Sequence, residues 1–227
     1  MNQNIVFQIA VWVVPLIIAI VFHEVAHGLV AKRLGDTTAE ERGRLTLNPL
    51  KHVDPFGTVI LPLILAISHA PVFGWAKPVP VNYARLRHPR RDMVLVALAG
   101  PGMNLLLALL GAIILAVTLA VSSNPNSPTT LLIAANALNF VLINIFLGVF
   151  NLLPVPPFDG GHVVEGLLPP PLAIGFRKIG RYSLLVFVIL LLVLPAISPK
   201  ADVIGRVVSP LVGHIATGML ALFGIRA

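Results

Sequence analysis

The chain has 227 residues, of which 57% are hydrophobic and only 11% are charged, and its mean hydropathy is +0.93. These values exclude an ordinary soluble domain and predict an all-α polytopic membrane protein with a single integral-membrane domain over residues 1–227. The chain has no cysteine, which excludes disulfides and thiolate metal ligands. The net charge of +7 lies in short loops beside apolar segments, which indicates membrane topology rather than nucleic-acid binding.

The first predicted element is a membrane-spanning helix that begins at Ile5. Residues 5–22 form an 18-residue run whose only polar side chain is Gln8, and no small-residue cleavage site follows, so we expect the segment to be retained. At about 1.5 Å per residue, His23 lies roughly 27 Å along the helix, near the far face of a core about 30 Å thick. The helix is predicted to end near Gly35.

Residues 23–27 of this helix have the sequence His-Glu-Val-Ala-His. Side chains four residues apart stack on one helix face, so His23 and His27 can bind the same metal ion. Glu24 lies one step round the helix, where it can take a proton from a water that the metal activates. The pattern fixes only three residues, but ionisable groups that directly continue a spanning run are costly and therefore indicate function.

The region between the first two long helices is predicted to hold a re-entrant segment and a small membrane-associated β element. Residues 57–70 are apolar but few, and Pro62 interrupts them, which favours a segment that re-enters the membrane over one that crosses it. Residues 44–48 alternate polar and apolar side chains, and residues 77–82 contain prolines typical of an edge strand.

Further spans complete a prediction of about five to six transmembrane helices, at residues 93–121, 131–153, 184–197 and 203–223. The span 131–153 has four asparagines within an arc of about 140°, which predicts a polar face toward the bundle interior. The last span has a small residue at every fourth position, which predicts a helix-packing stripe. These residues are Asn136, Asn139, Asn144 and Asn151, and Gly205, Ser209, Gly213 and Thr217.

The distribution of Lys and Arg predicts the topology. Of the 16 such residues, five lie in 32–51, five in 77–91 and three in 177–181. If all three stretches are cytoplasmic, the segment 57–76 must return to its own side of the membrane. Asp159 then reaches the same face as His23 and His27.

A hydrolytic zinc site usually has three protein ligands and one open position. Asp159 is favoured as the third ligand because it lies in a Pro- and Gly-rich stretch, and irregular backbone at membrane depth is tolerated only where it is buried or lines a cavity. From the residues alone, a loop aspartate that ends a helix is an equally good interpretation. The other candidates for the third ligand are His52, Asp54, Asp92, His162 and Glu165.

Together these motifs resemble those of the site-2 protease family of intramembrane zinc metalloproteases. They are His23-Glu24-x-x-His27, Gly100-Pro101-x-x-Asn104 and Asn151-x-x-Pro154-x-x-x-Phe158-Asp159-Gly160, in the family's order. Phe158 departs from the family's usual Leu before the aspartate. The sequence resembles compact members that lack PDZ and CBS domains, with a catalytic core at about 5–165 and accessory helices at about 166–227.

The resemblance implies one zinc ion held by His23, His27 and Asp159, with Glu24 as the general base. It implies cleavage within or next to the transmembrane helix of a single-span substrate, in the cytoplasmic membrane of a prokaryote and near the cytoplasmic face. A helical substrate must unwind before cleavage, and we expect the two predicted strands to hold it extended by β-augmentation.

Two functions of other classes remain as alternatives. A membrane di-iron oxygenase would also use His23 and His27 as a first histidine box, but it needs paired histidines, and the seven histidines of this chain include no adjacent pair. A non-proteolytic metal transporter would not need Glu24, and it would more often have internal repeats, which the sequence lacks.

Overall fold

The computed structural model describes residues 5–67, 74–189, 193–198, 200 and 202–225. Its α-helices are α1 (Ile5–Arg33), α2 (Thr38–Glu41), α3 (Leu61–Ile67), α4 (Pro89–Val121), α5 (Pro128–Asn151), α6 (Asp159–Leu167), α7 (Pro170–Gly180), α8 (Ser183–Val188), α9 (Leu194–Ile197) and α10 (Ser209–Ala221). Short 3-10 helices cover Pro49–Lys51 and Tyr83–Arg85, and π-helices cover Pro55–Ile60 and Ile204–Val208.

Four helical segments of the described chain are long and apolar enough to cross a membrane, namely Ala10–Arg33, Pro89–Val121, Pro128–Asn151 and Ile204–Ala221. The chain is therefore an all-α polytopic membrane protein. The predicted count of five to six spans is not reached in the described residues. The predicted span 184–197 is represented there by α8 and α9, and residues 190–192 between them lie outside the described part.

Helix α1 is bound to α5 at the position where a proline interrupts its hydrogen bonds. Pro15 has no N–H, so it cannot donate to the carbonyl oxygen of Val11. Asn139 of α5 supplies this donor, with Nδ2 at 2.8 Å from that oxygen. By contrast, Asn136 and Asn151 donate to carbonyls of their own helix. Only part of the predicted asparagine face therefore bonds across the bundle.

Helix α4 packs against α1, α5 and α6, and it shares an apolar core with α5 and α10. Three side chains of α10 are buried in this core, namely Val212, Ala216 and Leu220, and Val208 at the end of the preceding π-helix joins them. The predicted packing stripe of small residues on this helix is wrong, because those residues are exposed. The apolar side chains one position earlier along the chain pack with those of α4 and α5 instead.

The two ends of the segment predicted to re-enter the membrane contact each other. The segment runs through the π-helix Pro55–Ile60 into α3, and residues 68–73 lie outside the described part. The backbone N–H of Trp75 donates to the carbonyl oxygen of Gly57 at 3.1 Å, and the Thr58 hydroxyl donates to the Trp75 carbonyl at 2.8 Å. Because both ends of the segment contact each other, it cannot cross a bilayer, in agreement with the re-entrant interpretation.

The predicted β element is wrong, since neither residues 44–48 nor residues 77–82 pair as strands in the described chain. The second stretch is extended, but its prolines have no N–H to contribute to a ladder. The two stretches meet instead through the Arg44 side chain. Its Nη2 donates to the carbonyl oxygens of Lys77 at 2.8 Å and Pro78 at 3.3 Å.

We expect Asn139→Ala to destabilise the bundle by about 1 kcal/mol, because the Val11 carbonyl would lose the donor that Asn139 supplies across the helix interface. Thermal unfolding in detergent measures the loss. Asn136→Ala is the matched control, since it removes an amide from the same helix that bonds only within that helix. Equal destabilisation by both substitutions would contradict the role given to the bond.

Candidate metal centre

Three side chains from distant parts of the chain converge within the bundle. His23 and His27 lie on α1 and are 7% and 9% exposed, and Asp159 is the first residue of α6. The two Nε2 atoms are 3.0 Å apart, and they lie 3.2 Å and 3.4 Å from Asp159 Oδ2. Among the described residues, these three form a group whose ligand atoms could share one metal ion.

The three ligand atoms fit a tetrahedral zinc ion. Ligands at about 2.0 Å from zinc lie about 3.3 Å from one another in a tetrahedron, which matches the observed separations. Asp159 Oδ2 is also a buried oxygen with no hydrogen-bond donor in the described structure. An unpartnered carboxylate oxygen facing two imidazole nitrogens is costly in the absence of a cation. Nitrogen and oxygen donors in this arrangement suit zinc.

Hydrogen bonds on the far side of each imidazole direct its Nε2 lone pair toward Asp159. The His27 Nδ1–H donates to the carbonyl oxygen of Val96 at 2.7 Å. Because a carbonyl can only accept, His27 carries its proton on Nδ1 and leaves Nε2 free as a ligand. His23 Nδ1 lies 2.6 Å from Asn104 Oδ1, and the same logic leaves its Nε2 free. Such outer partners raise the basicity of histidine ligands and fix their orientation.

The amide of Asn104 is itself oriented by α5. Its Nδ2 donates to Asn144 Oδ1 at 2.9 Å, which requires Asn104 Oδ1 to face His23. The Asn144 Nδ2 in turn donates to the carbonyl oxygen of Phe140 at 2.8 Å. Both asparagines are fully buried. The sequence singled out both positions, but it did not reveal that they form one chain of hydrogen bonds ending on the His23 imidazole.

Glycines allow the close approaches that this site requires. A side chain at Gly100 of α4 would collide with the rings of His23 and His27, so glycine leaves room for both imidazoles. A side chain at Gly160 would collide with carbonyl oxygens at the end of α5. Glycine there lets α6 begin directly against α5, which places Asp159 at the metal centre.

Glu24 lies beside the cluster and is partly exposed. Its Oε2 accepts a hydrogen bond from the backbone N–H of Val79 at 2.7 Å. This bond holds one carboxylate oxygen against the extended stretch that follows the re-entrant segment, and the carboxylate has a second oxygen with which to accept a proton.

Tyr83 and His162 lie near the site without joining the metal cluster. Their rings are 5.6 Å apart. Burial, together with the negative charges of Asp159 and Glu165, raises the pKa of Tyr83 to about 12. Tyr83 therefore stays a neutral phenol at physiological pH.

The structure gives other roles to the remaining candidates for the third ligand. His52 contacts the Thr46 carbonyl through Nε2, and Asp54 caps the π-helix by accepting from the Gly57 N–H. Asp92 accepts from the His88 N–H at the start of α4, and Glu165 forms an ion pair with Arg177. Of the six candidates, Asp159 is the one brought to His23 and His27.

A cluster that could hold a metal ion, with the Glu24 carboxylate beside it and in a bundle of membrane-spanning helices, is typical of a membrane metalloenzyme. The sequence profile of peptidase family M50 matches residues 126–194. The chain is 40% identical over 178 residues to "Putative zinc metalloprotease YwhC" of Bacillus subtilis, with 78% of each chain covered. It is 33% identical over 194 residues to "Putative zinc metalloprotease Rip2" of Mycolicibacterium smegmatis, with 85% of this chain and 69% of the relative covered.

A relative from Mycobacterium tuberculosis, also named Rip2, is 31% identical over the same shares of both chains. No solved structure matches the chain significantly. The chain belongs to peptidase family M50 and is a metalloprotease, which confirms the resemblance to the site-2 proteases. In the described part of the chain no PDZ domain interrupts the helices, as expected for a compact member.

We expect Gly100→Ala to lower zinc affinity by about 10-fold or more, because the added methyl group displaces the imidazoles from their common focus. Zinc content at buffered free zinc concentrations measures the change. Gly102→Ala is the matched control two residues along α4, since a methyl group there meets no atom within 4 Å. Equal zinc content in the two variants would contradict the role of Gly100.

Proposed function

We propose that this metalloprotease cleaves peptide bonds within or next to the transmembrane helices of single-span membrane proteins. The observation that carries the proposal is the convergence of His23 and His27, on a membrane-spanning helix, with Asp159 at distances that suit one zinc ion. A hydrolytic centre built on a spanning helix is accessible to substrates that are themselves in the bilayer. The names of the relatives, which contain the words zinc metalloprotease, support the choice of ion.

In this proposal, His23, His27 and Asp159 hold the zinc ion through their Nε2 and Oδ2 atoms. Three protein ligands leave a fourth position open, as hydrolytic zinc sites require. When bound, zinc supplies Lewis-acid activation of water and of the scissile carbonyl group. Asn104 and the Val96 carbonyl keep both imidazoles in the tautomer that can bind metal.

Glu24 is the proposed general base. Its carboxylate follows His23 directly on α1, so it lies beside the water position without occupying it. The oxygen that the Val79 N–H does not bind accepts the proton of the attacking water. The same carboxylate then gives that proton to the leaving amine when the peptide bond breaks.

The membrane location of the site follows from α1. His23 and His27 lie in the second half of this helix, within about three turns of Lys32 and Arg33, which end it. If the basic stretches face the cytoplasm, the active site lies near the cytoplasmic face of the prokaryotic membrane. The irregular stretch after α5 leads into Asp159, and such backbone offers water a route to the site.

The test is co-expression of the chain with a panel of single-span membrane proteins tagged at both ends. We expect one or more of them to be shortened by the wild type and to remain intact with Glu24→Gln. The loss of rate should be about 100-fold or more, while zinc content is retained, because Glu24 is not a ligand.

Glu40→Gln is the matched control, since it removes an exposed carboxylate whose partner is Lys32 at the end of the same helix. If the Glu24→Gln variant still shortened a tagged substrate in a zinc-dependent way, Glu24 would not be the general base. Zinc uptake into cells that survives Glu24→Gln, without shortening of any substrate, would favour a metal transporter instead.

A further inference from the structure

The extended residues 75–82, here called the strap, are bound to the rest of the protein by four of their own N–H groups. The partners of these N–H groups come from four different segments of the chain. Trp75 donates to Gly57 O at 3.1 Å, Lys77 to His52 O at 2.9 Å, Val79 to Glu24 Oε2 at 2.7 Å and Asn82 to Asp36 Oδ2 at 2.6 Å. The strap is therefore fixed along its length. One of its donors, the Val79 N–H, binds the carboxylate of Glu24, the proposed general base.

Val79 packs closely against α1. Its side chain is 6% exposed and packs at Gly28, one helical turn after Glu24. A side chain at Gly28 would meet Val79 Cγ1 at 2.9 Å and would collide with Leu45. Glycine at this position thus lets the strap approach the helix closely enough for the Val79 N–H to reach Glu24.

Arg44 holds the strap from its other side. The Arg44 side chain is buried at 8% exposure, and its Nη2 donates to the carbonyl oxygens of Lys77 and Pro78. These carbonyls directly precede Val79 in the chain. The ion pairs found in the described residues do not include Arg44, and its Nε is buried without a hydrogen-bond partner there. Burying a guanidinium group in this way is costly.

We infer that Arg44 is a positioning residue that acts on Glu24 through the strap. The two hydrogen bonds from Arg44 fix the peptide groups on either side of Pro78, and this sets the direction of the Val79 N–H. That N–H holds one oxygen of the Glu24 carboxylate and leaves the other to accept a proton. The inference rests on the proposed function of Glu24 as general base.

The same contacts argue against the strap as a strand that pairs with substrate through these donors. The N–H groups of Trp75, Lys77 and Val79 already bond within the protein, and Pro78 and Pro80 have none. A substrate could take these donors only by displacing Gly57, His52 or Glu24. Residues 77–80 of the strap therefore offer no unused backbone donor to a β-augmented peptide.

The first test is amide hydrogen exchange of the strap in detergent, which needs no protease activity. We expect Arg44→Gln to speed exchange in residues 75–82 by about 10-fold, because two anchoring bonds are lost. Arg42→Gln is the matched control, since it removes an exposed arginine from the same loop. Unchanged exchange in Arg44→Gln would overturn the inference whether or not the protein is a protease.

The second test separates kcat from KM on a substrate whose cleavage depends on Glu24. We expect Arg44→Gln to lower kcat by about 10- to 100-fold, with KM and zinc content within about twofold of the wild type. Arg44→Lys should recover only part of kcat, because an ammonium group lacks the planar fork. A loss that appears equally in zinc content and thermal stability would mean a structural role and would overturn the inference.

The third test removes the link itself. Val79→Pro deletes the N–H that binds Glu24, and Val79→Ala keeps this N–H while removing side-chain packing, so the difference in kcat between them isolates the hydrogen bond. If Arg44 acts through that bond, the double variant Arg44→Gln, Val79→Pro should have a kcat no lower than that of the worse single variant. A double variant whose loss in kcat equals the product of the two single losses would overturn the inference.

Discussion

In a bilayer, a buried polar group has no water to bind, so each one in this bundle must find its partner within the protein. This constraint explains why α1, α4 and α5 are joined by side chains rather than by apolar packing alone. The Val11 carbonyl, freed by Pro15, is bound by Asn139. The imidazole of His23 is bound by Asn104, which is bound by Asn144. The bonds among His23, Asn104 and Asn144 thus both join the three helices and orient the His23 imidazole.

The metal centre is the place where this constraint is left unmet by protein atoms. Two Nε2 atoms and one carboxylate oxygen lie 3.0 to 3.4 Å from one another, and the Nδ1 bonds to Val96 and Asn104 direct both rings toward Asp159. One metal ion could bind all three atoms at once. Burying the Asp159 carboxylate oxygen without a partner costs free energy. Binding of zinc would offset this cost and stabilise the packing of α6 against α1 and α4.

The sequence could predict the parts of the site that depend on local geometry. His23, Glu24 and His27 share one helix, so their spacing alone defines their relation. Asp159 required the order of spans, the basic loops and a family resemblance. The β element was mispredicted because alternation does not show that the Arg44 side chain replaces backbone pairing. The small-residue stripe on α10 was mispredicted because periodicity defines a face but not the direction in which it points.

Helix geometry also explains why a strap is needed beside α1. His23 and His27 face α4, where Val96, Gly100 and Asn104 receive them. Glu24 is rotated by about 100° from His23 around the axis of α1, so it does not face α4 as the two histidines do. A carboxylate left to rotate freely would lose the alignment that proton transfer requires. The donor must come from a different element on that side of α1, and the backbone of residues 75–82 is the element that supplies it.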